Sequence, residues 1–301
     1  MARRVLLTGR DGQLGHECVL ACPEDVELVA VGRDGCDLAD PAAAAAVVRE
    51  VEPQVLIHAA AWTAVDAAES EEEAATVVNG AAVGALATAC ADIGARMLAV
   101  STDYVFSGEG ERPWREDDPV DPLNAYGRSK LAGERALAAA LPGAGCSVRT
   151  SWVYGRRGHN FVHTMLRLMR EGRELKVVDD QRGCPTWAGG LAAALWALAS
   201  WPADRALPPL LHHTDGGIVS WHGFAEAIRE EALDLGLEVE ASRVLPCTSA
   251  EYPTPARRPA WSPLAFSEAW SLVDREQEPW RDALRAALPL LVAEADASEP
   301  T

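Results

Sequence analysis

Three glycines spaced three apart, at the junction of a buried strand and a helix, constrain this chain more than any other feature. Arg3-Arg4-Val5-Leu6-Leu7-Thr8 is a short apolar run of the kind that forms a buried strand. It leads into Gly9-Arg10-Asp11-Gly12-Gln13-Leu14-Gly15, and Leu14–Leu20 carries a helical pattern. Glycines at such a turn let the backbone reverse tightly, approach a pyrophosphate and pack the helix on the strand. The helix then offers unpaired N–H groups and a positive dipole end to the phosphates. An ordinary glycine turn is the alternative, and the flanking strand and helix argue against it.

The same alternation continues. Val26–Val31, Val55–His58, Met97–Ser101 and Ser147–Ser151 read as strands. Pro41–Val51, with Asp40 as N-cap and Pro41 at the first helical position, Ser70–Ile93 and Asn124–Leu141 read as helices. This order predicts an α/β fold: a Rossmann-like, doubly wound parallel sheet. The polar motifs fall after strands one, three, four and five, where ligands of such sheets sit. Gly108–Leu123 reads as a surface loop. Beyond residue 155 the pattern is mixed. Asn160–Glu171, Trp187–Trp201, Ser220–Leu235 and Trp280–Val292 read as helices, Leu175–Val178 as extended, and Pro246–Pro263 as a proline-broken loop. We therefore expect a dinucleotide-binding domain over 1–151. A smaller mixed α/β substrate domain over 152–301 follows, with some segments returning to the sheet. The polar tail Glu294–Thr301 is expected to fray.

Tyr126-Gly-Arg-Ser-Lys130 places a phenol and an ammonium one helical turn apart. The lysine can lower the tyrosine pKa by charge stabilisation. A phenol titrating near pH ~10 needs such help to move protons near neutrality. Thr102, upstream in Ser101-Thr102-Asp103, could supply a second hydroxyl to a substrate oxygen, or could simply cap the end of its strand. Beside a nicotinamide this set suits hydride transfer at a carbonyl.

Net charge is −18, which disfavours nucleic acid as a partner. The seven cysteines (18, 22, 36, 90, 146, 184 and 247) are scattered, odd in number and lack a Cys-x-x-Cys, as expected for free thiols in a cytoplasm. No signal-peptide pattern is read at the N-terminus, and no apolar stretch is expected to reach the ~20 residues of a membrane span.

The spacing Gly-x-x-Gly-x-x-Gly points to the short-chain reductase branch, and longer motifs narrow it. Thr8–Gly15 is joined by Ala59-Ala-Ala-Trp-Thr-Ala-Val-Asp66, Ser101-Thr-Asp-Tyr-Val-Phe-Ser-Gly108 and Pro122–Glu134. Val148–Gly155, Asp180-Gln-Arg-Gly-Cys-Pro-Thr186 and Tyr252-Pro-Thr-Pro-Ala-Arg-Arg-Pro259 complete the set. Over nearly its whole length the chain resembles the dTDP-4-dehydrorhamnose reductases of the extended short-chain dehydrogenase/reductase family. The resemblance implies NADPH-dependent reduction of the C4 ketone of dTDP-4-dehydro-L-rhamnose, with NADH as a possible substitute. It implies Thr102, Tyr126 and Lys130 as catalytic residues. Gly9, Asp11, Gly12, Gln13, Leu14, Gly15, Asp37, Leu38, Ala59, Ala60, Ala61 and Thr63 would contact cofactor, as would Tyr126 and Lys130. Thr102, Asp103 and Tyr104 would face the sugar. Nucleotide-sugar dehydratases of the superfamily carry Thr-Asp-Glu where this chain has Thr102-Asp103-Tyr104, which argues against elimination.

Arg33, after strand two, suits the extra phosphate of NADP or is a solvated loop charge. Trp152 could cover the apolar face of a hexose and donate its N–H, or pack in the core. Asn160 and Arg258 are candidates for the sugar diphosphate or thymine, with a surface ion pair as the alternative for Arg258. His159 and His163 have the spacing of a metal pair but no third ligand, so a polar helix face is expected. Metal-bridged dimers occur in the resembled group through glutamates. Glu17 matches one position, but Gly189 stands where another glutamate is needed, so no metal is expected and a homodimer stays open. Gly80, where alanine is usual, should weaken its helix slightly. The rival readings are a 4-ketoreductase for another dTDP-4-keto-6-deoxy sugar of antibiotic biosynthesis, and a non-catalytic regulatory subunit that binds dinucleotide.

Overall fold

A computed structural model describes residues 2–239 and 243–298. The first half alternates β1 (Arg3–Thr8), α1 (Gln13–Leu20), β2 (Val26–Val31), α2 (Pro41–Val51), β3 (Val55–His58), α3 (Val65–Ala68), α4 (Glu72–Thr76), α5 (Ala82–Ile93), β4 (Arg96–Thr102), α6 (Ala125–Ala140) and β5 (Gly145–Thr150). The second half adds β6 (Val153–Tyr154), α7 (Phe161–Arg170), β7 (Glu174–Val178), β8 (Arg182–Gly183), β9 (Thr186–Trp187), α8 (Ala188–Ala199), β10 (Leu210–His212), β11 (Val219–Ser220), α9 (Trp221–Asp234), β12 (Arg243–Cys247) and α10 (Trp280–Ser298).

Among the described residues, six parallel strands form one sheet in the order β2-β1-β3-β4-β5-β10. This is the Rossmann-like arrangement that the alternation predicts. Alternate residues of β1 serve opposite faces, as the pleat requires. Val5 and Leu7 join a core with α1 and α8, while Leu6 joins one with α2 and α5. A third cluster, with Tyr154, Phe224 and Leu284 fully buried, ties α7, α9 and α10 together beyond the sheet. Helix ends follow their sequence signals. Asp40 accepts from the backbone N–H groups of Ala42 and Ala43 at 3.0 Å, with Pro41 in the first turn.

Several elements depart from expectation. The helix read over Ser70–Ile93 contains a π-helical turn, Val77–Ala81, between α4 and α5. That turn carries Asn79, whose amide bonds the Trp62 backbone (2.8 and 3.0 Å) and Ser129 Oγ (2.9 Å). An extra residue in the turn re-aims the side chain, a common use of π-bulges. Gly80 is more than a weak helix former there, since a Cβ would stand 3.2 Å from that of Ala132 on α6. By length and composition Glu72–Ile93 could cross a membrane, contrary to the expectation from sequence. Its α5 portion packs against α2 and α6, which accounts for the apolar surface. Gly108–Leu123 is partly fastened: the backbone of Trp114 bonds Pro263 and Ala265, and its ring stacks on Phe106 at 4.7 Å. The last helix runs on through Ser298, with Glu294 paired to Arg157 at 2.5 Å, so Glu294–Ser298 is helical rather than frayed. Glu299–Thr301 of that tail lie outside the described residues.

Burial also fixes protonation. His58 and His213 are pushed down to about 3 and His212 to about 4, chiefly by desolvation. Asp103 and Asp215 are pushed up to about 7 by the same cause. Each histidine stays neutral when folded but protonates when unfolded below about pH 6.5, so its contribution is lost as pH falls. The two carboxyls act oppositely, since they hold a proton when folded and lose it when unfolded. The histidines outnumber the carboxyls, and His16, also pushed down by burial, acts on their side. The urea midpoint should rise from about pH 4.5 to about pH 6.5, and Asp215→Asn should steepen that rise by removing one opposing group. An unchanged slope in that variant would refute the assignment.

Candidate active site

The C-terminal ends of β1–β5 open into a cleft of about 1470 Å³. Gly9 turns the chain out of β1 at φ 82°, and a Cβ there would lie 2.7 Å from the Ala60 nitrogen. A Cβ on Gly15 would lie 1.9 Å from the Gly9 carbonyl oxygen. Both contacts are to backbone, which cannot yield, so the turn requires glycine at these positions. Gly12 caps α1 without a side-chain bond, and Gly12, Gln13 and Leu14 line the cleft. A helix start left open in this way has the donor set an anionic diphosphate needs. Asp11, Arg33, Asp37, Leu38, Ala59, Ala60, Ala61 and Thr63 line the same cleft. Arg33 is exposed and has no ion pair among the described residues, whereas nearby Asp34 is engaged by Arg10 at 3.3 Å.

β4 and α6 bring Thr102, Tyr126 and Lys130 to the floor of this cleft. Asn124 starts α6 by accepting from the Gly127 N–H at 2.8 Å, and it donates to the Arg257 carbonyl at 2.9 Å. Thr102 ends β4, caps the turn Asp103–Val105 and donates to Asp103 Oδ1 at 3.0 Å. The Tyr126 ring stays partly exposed and meets Tyr104 edge-on at 5.5 Å. Burial pushes its phenol up to about 12, a hydrogen bond with Thr102 pulls it back, and Asp103 pushes it further up. Lys130 was expected to lower this value. Here its Nζ donates to the Val100 carbonyl at 2.7 Å, and desolvation brings the lysine itself down to about 8. Lys130 is not among the groups that shift the phenol, and desolvation dominates its value.

The remaining sequence candidates separate. Asp103 and Tyr104 line the cleft, and the buried Asp103 carboxyl is held by hydrogen bonds with Thr102 and Ser262. Trp152 also lines it, but not as an open platform. Trp221 lies parallel to its ring, 3.5 Å between centroids. A Cβ on Gly183 would lie 2.3 Å from its Cε2 and 2.6 Å from both Cζ2 and Nε1, a point above the ring plane. Both faces are therefore covered. Asn160 and Arg258 line an adjoining cleft of about 1290 Å³, which shares His159 and Trp221 with the first. Asn160 is committed to capping α7, bonding His163 N and the Gly155 carbonyl. Arg258 forks onto Asp66 at 2.8 and 3.0 Å, the ion pair named as its alternative. His163 bonds the Arg156 carbonyl and His159 contacts Thr164, and Glu17 is paired with Arg156. No group of three or more His, Cys, Asp or Glu among the described residues could hold a metal.

Sequence reasoning missed Asn79, which braces the Ala59–Thr63 loop against α6, and Trp221. It also missed the buried pair Glu134–Arg149 behind Lys130, bidentate at 2.9 and 2.7 Å. The spacing Lys130-x-x-x-Glu134 was a usable signal, because it puts the two on one helix face.

Sheet order and cleft define a Rossmann-like fold of the short-chain dehydrogenase/reductase class. The family described as RmlD substrate binding domain matches residues 3–292. The dTDP-4-dehydrorhamnose reductase of Burkholderia thailandensis is 43% identical over 288 residues, 93% of this chain and 96% of that protein. A probable dTDP-4,6-dihydroxy-2-methyloxan-3-one 4-ketoreductase of Streptomyces antibioticus is 39% identical, covering 96% of each. The crystal structure of dTDP-4-dehydrorhamnose reductase from Bacillus anthracis in complex with NADP superposes with a TM-score of 0.87 at 33% identity, covering 96% of this chain and 99% of that one. The chain belongs to this RmlD family of dTDP-4-dehydrorhamnose reductases.

Proposed function

We propose that the protein reduces the C4 ketone of dTDP-4-dehydro-L-rhamnose to dTDP-L-rhamnose with NADPH, NADH serving less well. The observation that carries this reading is the convergence of Thr102, Tyr126 and Lys130 beneath a glycine-lined cleft, in a chain of this family. The cleft fits a dinucleotide because Gly9 and Gly15 leave no room for a side chain and α1 begins uncapped. Bound there, the reduced nicotinamide supplies a hydride to C4.

The rest is done by the chain. Tyr126 stays protonated at neutral pH and donates its proton to the C4 oxygen as negative charge grows there. Thr102 turns its single hydroxyl proton from Asp103 to the same oxygen and lowers the cost of that charge. Lys130 carries three N–H groups and spends one on Val100, which leaves two for the ribose and for the phenolate. Asp103 and Tyr104 flank the sugar, and Trp152 meets it by its edge. Arg258 and Asn160 border the nucleotide side, where Asn160 shapes the wall rather than donating. Residues 1–151 then serve the cofactor and 152–301 mainly the sugar nucleotide. Seven free thiols suit a cytoplasmic setting. Size-exclusion chromatography reads whether a homodimer forms.

Consumption of NADPH with the 4-keto sugar made in situ from dTDP-glucose tests the reading, and no turnover would refute it. The Streptomyces antibioticus relative favours one alternative, reduction of a different 4-keto sugar, and the same assay run over several sugars separates the two. A purely regulatory role would predict cofactor binding without turnover. We assign Arg33 to the 2′-phosphate of NADPH. Arg33→Ser should raise the Kd of NADPH about ten-fold and leave that of NADH unchanged, the loss of one charge-assisted contact at an exposed site. Fluorescence titration reads both constants, and equal weakening of both would place Arg33 elsewhere.

A further inference from the structure

Trp152 has a left-handed backbone, φ 47°, which a bulky residue keeps only where its surroundings over-determine it. Those surroundings come from the Asp180–Thr186 motif, otherwise without a task. Ser151 Oγ donates to the Cys184 carbonyl at 2.7 Å, and the Trp152 carbonyl accepts from Thr186 N–H at 3.2 Å. Immediately afterwards β6 pairs with β9. The same motif supplies Gly183, whose backbone covers one face of the indole. Trp221 covers the other, 9° from parallel.

Trp221 is itself held. It opens α9, where Ser220 accepts from Gly223 N–H at 3.0 Å and donates to Asp179 at 2.5 Å. Phe161 backs it at 4.6 Å. With both faces covered, Trp152 can offer the cleft only its edge. The indole Nε1–H has no acceptor among the described residues and is not among the buried orphaned atoms, so it is open to a partner. Trp221 lines both clefts, so this wall stands where the cofactor side meets the nucleotide side.

We propose that Trp221 is a positioning residue for the substrate, acting through Trp152: with Gly183 it clamps the indole edge-on, so that Nε1–H bonds a hydroxyl of the hexose. The proposal rests on the reductase reading above. In wild-type enzyme with NADPH and the 4-keto sugar, Trp221→Ala should raise the sugar KM about ten-fold with kcat within about threefold, as expected for a lost ground-state hydrogen bond. The Kd of NADPH, titrated without turnover, should not move. Trp221→Phe can restack on the indole and should keep the sugar KM within about threefold of wild type. Trp152→Phe keeps a flat ring but loses the donor, and should raise KM as Trp221→Ala does.

An unchanged sugar KM in folded Trp221→Ala overturns the proposal. So does an unchanged KM in Trp152→Phe, which would make the ring a stacking surface after all. Should Trp221→Ala fail to fold, Gly183→Ala replaces it: a methyl 2.3 Å from Cε2, over the indole face, must displace the ring, and an unchanged KM would again overturn the clamp. A wild type that turns over no dTDP-4-keto sugar refutes the reductase reading and this inference with it, whereas failure of the clamp alone leaves wild-type turnover intact.

Discussion

Tyr126→Phe should lower kcat by about 10²–10⁴-fold, the range for removing a positioned general acid. The ring can keep its edge contact with Tyr104, so the fold and the cleft should persist. What disappears is the hydroxyl that shares a hydrogen bond with Thr102 and would protonate the C4 oxygen. The Kd of NADPH, measured by fluorescence titration, should stay within about twofold, since glycine-turn and helix-start contacts are untouched. Steady-state turnover close to wild type would remove Tyr126 as the proton donor. The high phenol value has a further corollary. The tyrosine is in its donor form throughout the neutral range, which suits reduction; the reverse reaction would have to begin from a phenolate that burial disfavours.

Arg149→Met should destabilise the fold by about 3–5 kcal/mol, because it strands a buried carboxylate. Glu134 is 9% exposed and Arg149 3%. Their fork is supported on every side. Ser101 Oγ donates to Glu134 at 2.5 Å, His212 approaches Arg149 at 3.4 Å, and the guanidinium lies 4.9 Å from the Phe106 ring centre. Urea unfolding reads the loss. The double variant Arg149→Met with Glu134→Leu should recover most of it, since replacing both partners by apolar groups removes the unpaired charge. If the double variant is as weak as the single, packing rather than charge is at stake. Glu134 also holds the Lys130 pKa up against desolvation, so the pair bears on the candidate site as well as on stability.

The legible parts of the fold are those with a local physical signature. β1, β2 and β3 are bounded in sequence as in space, because apolar runs end abruptly at glycine or polar residues. Asp40, Asn124, Asn160 and Ser220 announce their helices because an Ncap side chain acts on its own neighbours. Elements defined by distant partners escaped. β10 is three residues long and becomes a strand only beside β5. β12 holds a proline and is a strand only beside β7. The π turn exists for the bonds of Asn79 to Trp62 and Ser129. At the site the same division holds. Thr102, Tyr126 and Lys130 could be found from spacing, whereas the covering of Trp152 by Gly183 and Trp221 joins segments about 30 and 70 residues away, which no local pattern encodes.

The position of β10 bears on the order of events during synthesis. Leu210–His212 completes the sheet at its far edge, and α8 packs onto α1 on the face it shares with the first half. The six-stranded sheet therefore cannot close when residue 151 leaves the ribosome. Until about sixty further residues emerge, β5 presents an open parallel edge, a template for pairing with another nascent chain. Efficient folding of this protein must then depend on how quickly that stretch follows, and slowing translation between residues 151 and 212 should raise the yield of aggregate.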